Sequence, residues 1–204
     1  MRGISLLLTL LLLLSFSGCG KKKSAGAHTA EVNTTKTKSV QQTVVSPRTF
    51  LLKDIDGREL NLTIDGKKLR SDDIDQPLLL INFFATWCPP CRGELPDLSK
   101  LQRKHAAELF IVGVLVNDEQ NSTELRHFME KHGANYYISC AETNNDLVTR
   151  LIGELKLPEN FPIPLSILYR DGKFYRYYEG AMPMEMIENE LEQALREKDR
   201  KRKD

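Results

Sequence analysis

The stretch Asn82-Phe83-Phe84-Ala85-Thr86-Trp87-Cys88-Pro89-Pro90-Cys91 decides the fold of this chain. It includes the end of an apolar run, Leu78 to Phe84, which has the length and composition of a buried strand. After the second cysteine, leucines recur at helical spacing, at positions 95, 98 and 101. The two cysteines are therefore predicted to lie where a strand turns into a helix.

That position has a chemical consequence for the first cysteine. If Cys88 caps the helix, Pro89 takes the first helical position, where its fixed φ and missing N–H cost nothing. The Cys88 sulfur then faces unpaired N–H groups and the positive end of the helix dipole, which favour a thiolate. We expect Cys88 to be the nucleophile. Cys91, one turn on and more buried, is expected to titrate higher and to resolve a mixed disulfide at Cys88.

A Cys-x-x-Cys pair is also compatible with half of a zinc site or with a structural disulfide. A zinc site needs two more Cys or His ligands at suitable spacing, and the sequence contains no second pair. The four histidines are scattered and share no spacing typical of a metal site. The pattern therefore favours redox chemistry, and we expect neither a metal nor a cofactor.

Composition limits the broad class of the protein. The chain has 204 residues, of which 41% are apolar and 28% charged, and its formal net charge is +1. This composition suits one globular domain of ordinary size with appendages. A charge so close to neutral gives no reason to expect nucleic-acid binding.

The first part of the chain reads as a targeting segment. The apolar run from Ile4 to Leu14 is shorter than the ~20 residues of a membrane-spanning helix, which indicates a secretory signal. Ser17-Gly18-Cys19 resembles the bacterial lipobox, which implies cleavage before Cys19 and lipidation of its sulfur. An ordinary signal peptide that contains Cys19 is the alternative.

The predicted domain organisation follows from these composition changes. Residues 1–18 are the signal, and residues 19–46 comprise the lipidated cysteine and a polar tether expected to be disordered. Residues 47–198 form the domain, and residues 199–204 a charged tail.

Within the domain, residues 50–53 and 58–62 flank an Asp-Gly turn and predict a β-hairpin. A loop with a short helix near residues 71–74 is expected next. The remaining strands and helices alternate, which implies parallel β-α-β units, and the last helix is expected to end near Leu195. Strands are predicted at 109–116, 136–139, 161–169 and 174–178, and helices at 121–132, 144–153 and 183–195.

The run from Asn82 to Cys91, followed by Glu94-Leu95-Pro96, resembles the TlpA/ResA/CcmG branch of the thioredoxin superfamily. These are membrane-tethered thiol–disulfide oxidoreductases. Phe84 stands where the branch usually has Trp, and Asn82 stands where thioredoxins proper carry a buried Asp. The resemblance covers about residues 50–195. It implies an α/β, thioredoxin-like fold: a central mixed β-sheet flanked by helices, with an N-terminal β-hairpin and a central αβ insertion.

The resemblance also implies roles for residues outside the pair. Pro164 precedes Asp171-Gly172 by seven residues, as the thioredoxin cis-proline precedes its turn. It is expected to pack beside the pair and to leave the backbone of Ile163 available to a substrate strand. Trp87 is expected to support the site as part of the motif. Glu94 lies one helical turn after Cys91, where a carboxylate can raise thiol pKa values and shuttle a proton; an exposed helix glutamate is the alternative.

The resemblance implies an enzyme of the bacterial cell envelope, lipid-anchored and facing the periplasm or, where there is none, the extracytoplasmic side. It would reduce protein disulfides, with apocytochrome c or copper-assembly proteins as partners and a membrane-bound electron donor.

A peroxide-reducing redoxin and a non-catalytic copper or haem carrier are the alternatives. The first needs a Thr three residues before a lone Cys, whereas Thr86 is two before Cys88. Haem attachment needs a His after the second Cys, where Arg92 stands. The lone Cys140 is expected to be a small buried residue.

Overall fold

The computed structural model of the chain describes residues 46–201, with side chains described up to position 197. The predicted signal, Cys19 and nearly all of the predicted tether lie outside the described residues. So do residues 202–204 at the end of the predicted tail.

Eight strands and four helices make up the described part of the chain. They are β1 (Arg48–Lys53), β2 (Glu59–Asp65), β3 (Lys68–Arg70), β4 (Leu78–Phe84), α1 (Pro89–Lys104), β5 (Leu109–Leu115), α2 (Ser122–His132), β6 (Tyr137–Ser139), α3 (Asn144–Leu155), β7 (Leu165–Arg170), β8 (Lys173–Glu179) and α4 (Met184–Lys201).

All eight strands belong to one mixed sheet in the order β1-β2-β3-β8-β7-β4-β5-β6. Strand β4 lies inside the sheet, parallel to β5 on one side and antiparallel to β7 on the other. The predicted hairpin is confirmed as β1 and β2, which pair antiparallel. The α/β, thioredoxin-like fold class is confirmed.

Strand β4 is buried along its whole length because both faces of the sheet are covered. Leu79, Ile81 and Phe83 pack into a core with the hairpin and α3. Leu78, Leu80 and Phe84 pack into a second core with α1, α2 and α4. A strand held on both faces and both edges gives the turn that follows it a fixed position.

The predicted short helix near residues 71–74 is wrong. Gly66, at a φ of +57°, turns the chain back so that β3 pairs with β2. On its other side, the Leu69 N–H donates to the carbonyl oxygen of Gly172 at 2.8 Å. Beyond the strand, the Ser71 hydroxyl accepts a hydrogen bond from the Asp73 N–H at 3.2 Å, a local bond that competes with helix formation.

Helix α4 is longer than predicted and continues to Lys201, so it includes the first residues of the predicted charged tail, 199–201. Tertiary contacts of α4 continue past its predicted end near Leu195. The Arg170 guanidinium donates to the Ala194 carbonyl at 3.1 Å and to the Glu197 carboxylate at 2.8 Å. These bonds hold the later turns of α4 against the sheet. Across residues 46–201, every helix is too short or too polar to cross a membrane.

Candidate active site

The cysteine pair occupies the turn between β4 and α1, as predicted. Cys88 is the N-cap of α1 with extended backbone angles, and a proline follows at the first helical position. Cys88 and Cys91 form a disulfide with their Cα atoms 5.3 Å apart. The Cys91 N–H points at the Cys88 sulfur, 3.3 Å from N to Sγ. The Cys88 sulfur therefore accepts a hydrogen bond from a backbone N–H that has no partner within the helix.

Burial does not separate the two cysteines in this oxidised state. Cys88 is 3% exposed and Cys91 is 1% exposed. The expected contrast between an open and a closed cysteine is therefore absent. Position on the helix is what distinguishes them, because only Cys88 lies outside the first turn with its sulfur at the helix N-terminus.

The segment before β7 lies against the first cysteine. The peptide bond between Ile163 and Pro164 is cis, as the resemblance implies. The carbonyl oxygen of Ile163 is 3.6 Å from the Cys88 sulfur. On the other side, the Pro164 carbonyl accepts a hydrogen bond from the Gly180 N–H at 2.8 Å. The backbone on either side of this proline is thus held between the pair and the end of β8.

Trp87 presents a large apolar surface beside the pair. Its side chain is 59% exposed, although most aromatic residues of the domain are more buried. The indole Nε1 donates to the carbonyl oxygen of Asn117 at 3.2 Å. The indole nitrogen is therefore anchored while more than half of the residue's surface remains open to solvent.

A carboxylate that sequence reasoning missed holds the same turn. Asp118 accepts hydrogen bonds from both the backbone N–H and the hydroxyl of Thr86, the latter at 2.7 Å. The neighbouring Asn117 has a φ of +51°, and its N–H donates to the Asn145 side chain at 3.1 Å. The available signal was the position of these residues just after β5, because carboxyl ends of adjacent parallel strands meet at one sheet edge.

Glu94, one helical turn after Cys91, is buried rather than exposed on the helix. It is 4% exposed, and its two carboxylate oxygens accept from the Asn82 amide at 3.1 Å and from the Met182 N–H at 3.4 Å. Burial raises its pKa to about 7, and the charge of Asp97 adds to the rise, although the two hydrogen bonds act in the opposite direction. The alternative of an exposed helix glutamate is wrong.

Two further polar residues near Glu94 were not singled out from the sequence. Ser166 on β7 accepts a hydrogen bond from the Asn82 amide at 3.0 Å and is itself buried. Tyr136 is buried, and both burial and the charge of Glu94 raise the pKa of its phenol. Neither residue lies in a recognisable motif, and only the folded sheet brings them to the first part of α1.

Cys140 is half-buried rather than buried, and it is the free cysteine of the described residues. Its sulfur lies 3.6 Å from the Lys53 carbonyl, and burial raises the pKa of its thiol. In residues 46–201, no three His, Cys, Asp or Glu side chains are grouped so that they could hold a metal ion.

A redox-capable Cys-x-x-Cys pair on a thioredoxin-like fold defines the general class. The profile of the AhpC/TSA family matches residues 47–164, more than half of the chain, and the chain therefore belongs to that family.

Named relatives refine this class. The chain is 24% identical over 129 residues to the thiol–disulfide oxidoreductase ResA of Bacillus thuringiensis (strain Al Hakam), a match that covers 63% of this chain and 69% of ResA. It is 35% identical over 77 residues to the thioredoxin-like protein YneN of Bacillus subtilis (strain 168), covering 37% of this chain but only 45% of YneN.

Among solved structures, a thiol:disulfide interchange protein of the thioredoxin family from Chlorobium tepidum TLS is similar. Its TM-score is 0.55 at 25% identity, and the match covers 72% of this chain and 93% of that one. Together with the Cys88–Cys91 disulfide, these similarities identify the enzyme as a thiol–disulfide oxidoreductase of the ResA-like kind.

Proposed function

We propose that this protein reduces disulfide bonds in other proteins outside the cytoplasm, anchored to a membrane through a lipid on Cys19. In this proposal, residues 1–18 are a signal, 19–46 a lipidated tether, 47–198 the catalytic domain and 199–204 a charged tail. The observation that carries the catalytic part is the placement of the Cys88 sulfur at the N-terminus of α1, 3.3 Å from the Cys91 nitrogen.

The first step begins from the reduced pair. The Cys88 thiolate attacks one sulfur of the substrate disulfide, forming a mixed disulfide and expelling the other substrate sulfur as a thiolate, which takes a proton from water. The helix N-terminus favours the Cys88 thiolate. The backbone of Ile163 and Pro164 and the exposed side chain of Trp87 are proposed to hold the substrate chain beside the sulfur.

The second step releases the substrate. The Cys91 thiol gives its proton to the Glu94 carboxylate and attacks the Cys88 sulfur, and the second substrate sulfur leaves as a thiolate. The substrate has then gained two electrons, and the enzyme holds the Cys88–Cys91 disulfide. A carboxyl group with a pKa of about 7 both accepts and returns a proton readily near neutral pH. A dithiol donor in the membrane is proposed to reduce the pair again.

The two prolines of the motif support a reducing role. Pro89 and Pro90 have no backbone N–H to donate to a thiolate. Among the described residues, the Cys91 N–H is the group that donates a hydrogen bond to the Cys88 sulfur. Fewer donors stabilise the reduced thiolate less. Because a less stabilised dithiol gives up its electrons more easily, we expect the pair to be a reductant.

The substrates are proposed from the family resemblance: the cysteine pairs of apocytochrome c, or those of proteins that assemble a copper site in an oxidase. Reduction of peroxide is less well supported. The Thr86 hydroxyl donates to Asp118 at 2.7 Å and is thereby committed to a structural bond. In addition, Cys88 has an immediate partner in Cys91.

A gene deletion tests the physiological proposal. We expect the deletion to lower c-type cytochromes or oxidase activity, and expression of the wild-type chain or Cys140→Ser to restore them. Cys88→Ser should not restore them, whereas a dithiol added to the medium should. Unchanged cytochromes and oxidase after deletion, or rescue by Cys88→Ser, would contradict the proposal. A loss of peroxide resistance alone would favour the peroxide-reducing alternative instead.

A further inference from the structure

The amide of Asn82 lies between Glu94 and Ser166 inside the domain. Its nitrogen donates to the Glu94 carboxylate at 3.1 Å and to the Ser166 hydroxyl oxygen at 3.0 Å. The residue is 1% exposed, and its carbonyl oxygen Oδ1 has no hydrogen-bond partner among the described residues. A buried amide with one end used twice and the other end unused is unusual and calls for an explanation.

The chemistry of the three groups allows either end of the amide to take the position between Glu94 and Ser166. An ionised carboxylate only accepts hydrogen bonds, so the amide must turn its NH₂ group towards Glu94. A protonated carboxyl carries an O–H and can donate. If the amide then turns by half a revolution about its last side-chain bond, Oδ1 takes the place of the nitrogen and accepts from Glu94. The Ser166 hydroxyl either accepts or donates, and therefore bonds to the amide in both orientations.

We propose that Asn82 is a positioning residue whose amide reverses each time Glu94 gains or loses its proton, with Ser166 as the hydroxyl that suits both orientations. The inference rests on the proposed function, in which Glu94 takes the proton of Cys91. In both protonation states one hydrogen bond joins Glu94 and Asn82: the amide donates it to the carboxylate and accepts it from the protonated carboxyl group. The carboxyl group therefore remains in place while the proton moves.

Several other groups surround Glu94, and they differ from Asn82 in the hydrogen bonds that they can make to it. Asp97 and the cysteine pair lie on the same helix, and the Tyr136 phenol approaches from the chain before β6. Strand β7 contributes Ser166, and the segment after β8 contributes the Met182 N–H, which can only donate. Among the described residues, the hydrogen bonds of the Asn82 side chain go to Glu94 and Ser166 alone. The Tyr136 hydroxyl has no hydrogen-bond partner among the described residues. Of the groups hydrogen-bonded to Glu94 there, Asn82 is thus the one that can both accept and donate.

The chain contains a matched internal control in a second buried amide–hydroxyl pair. The Asn144 amide nitrogen donates to the backbone carbonyls of Leu115 and Ser139, each at 2.9 Å. Its carbonyl oxygen accepts from the Ser139 hydroxyl at 2.7 Å. Backbone carbonyls only accept, so this amide has one allowed orientation at every pH.

Nuclear magnetic resonance on the full-length, oxidised protein in detergent tests the reversal. In this form Cys88 and Cys91 do not titrate. With labelled Asn side chains and Glu carboxyl carbons, we expect strong contacts between the Asn82 NH₂ protons and the Ser166 β-protons at high pH. These contacts should be lost at low pH, with the same midpoint as the Glu94 carboxyl signal. The Asn144 contacts should not change, and Glu94→Gln should abolish the transition at Asn82.

Asn82 contacts that stay constant while Glu94 titrates would overturn the inference. A Glu94 carboxyl group that does not titrate between about pH 5 and 9 would overturn it as well, given the pKa of about 7.

Kinetics separate this inference from the proposed function. Formation of a mixed disulfide and its resolution are followed separately on a protein disulfide. Asn82→Leu should leave formation nearly unchanged and slow resolution about tenfold at neutral pH, since a misplaced proton acceptor loses part of its contribution. Ser166→Thr, which keeps the hydroxyl, should resolve faster than Ser166→Ala. If the wild-type protein reduces no protein disulfide, the proposed function fails. If it does and Asn82→Leu resolves normally, only the role of Asn82 fails.

Discussion

At the scale of single residues, the site depends on one carboxyl group removed from water. Glu94 is visible in the sequence as the third residue after Cys91, and its predicted role follows from that spacing. Its burial does not, because its partners lie far along the chain. Asn82 is 12 positions away and Met182 is 88 positions away. Local patterns cannot show that a strand and a distant loop both close over one helix residue.

The raised pKa of Glu94 predicts how stability depends on pH. The folded chain retains a proton up to about pH 7, whereas the unfolded chain releases it near the ordinary value of 4.5. The contribution of the protonated Glu94 to the stability of the folded state is therefore fully present below pH 4.5 and is lost as pH rises through 7. For the oxidised protein, we expect the difference in free energy of unfolding between Glu94→Gln and wild type to grow in favour of the variant. The expected growth is about 1 kcal/mol per pH unit across this window. Denaturant unfolding at several pH values measures the difference.

Asp97→Asn serves as the control for this prediction. It removes a carboxylate on the same helix that is more exposed than Glu94, and should leave most of the wild-type pH dependence in place. Parallel stability curves for Glu94→Gln and the wild type would show that Glu94 ionises normally in the folded protein.

At the scale of elements, the turn that carries Cys88 is held by the segment after β5. Asp118 binds both donors of Thr86, and the Asn117 carbonyl fixes the Trp87 indole. These bonds join the ends of two neighbouring parallel strands. The start of α1, and with it the Cys88 sulfur, is therefore positioned by a segment that contains no residue of the cysteine motif.

Removal of the Asp118 carboxylate should loosen this turn. We expect Asp118→Ala to lower the free energy of unfolding by about 1–3 kcal/mol, because two donors of Thr86 lose a charged acceptor. We also expect slower alkylation of Cys88 in the reduced protein. Asp118→Asn retains an acceptor, and its free energy of unfolding should lie between those of Asp118→Ala and wild type.

The adjacent exposed Glu119 provides the control, and Glu119→Ala should change stability by less than about 0.5 kcal/mol. Equal effects of Asp118→Ala and Glu119→Ala would contradict this role.

The elements themselves show where sequence patterns suffice. Strand β4 and helix α1 have strong local signals, and Leu78–Phe84 and the Cys88 cap occur as predicted. Strand β3 was missed because its three residues are strand only through pairing with β2 and β8. The end of α4 was placed too early because Arg170, on a distant strand, stabilises it.

At the scale of the whole molecule, the domain fold follows from alternating strands and helices, but its attachment rests on residues outside the described range. Ser17-Gly18-Cys19 predicts a lipid on Cys19. We expect the wild-type protein to fractionate with membranes and Cys19→Ala to be released in soluble form. Should an uncleaved signal keep the variant on the membrane, mass spectrometry of the wild-type protein decides. An unmodified Cys19 would contradict the lipid anchor.

The central claim is that Cys88 attacks and Cys91 resolves. Trapping of mixed disulfides in cells tests it most directly, in a Cys140→Ser background so that the remaining free thiol of the described chain does not interfere. Cys91→Ser should accumulate mixed disulfides with substrate proteins, because attack still occurs but resolution does not. Cys88→Ser should accumulate few. Equal trapping by the two variants, or alkylation of Cys91 before Cys88 in the reduced protein at neutral pH, would contradict the assignment.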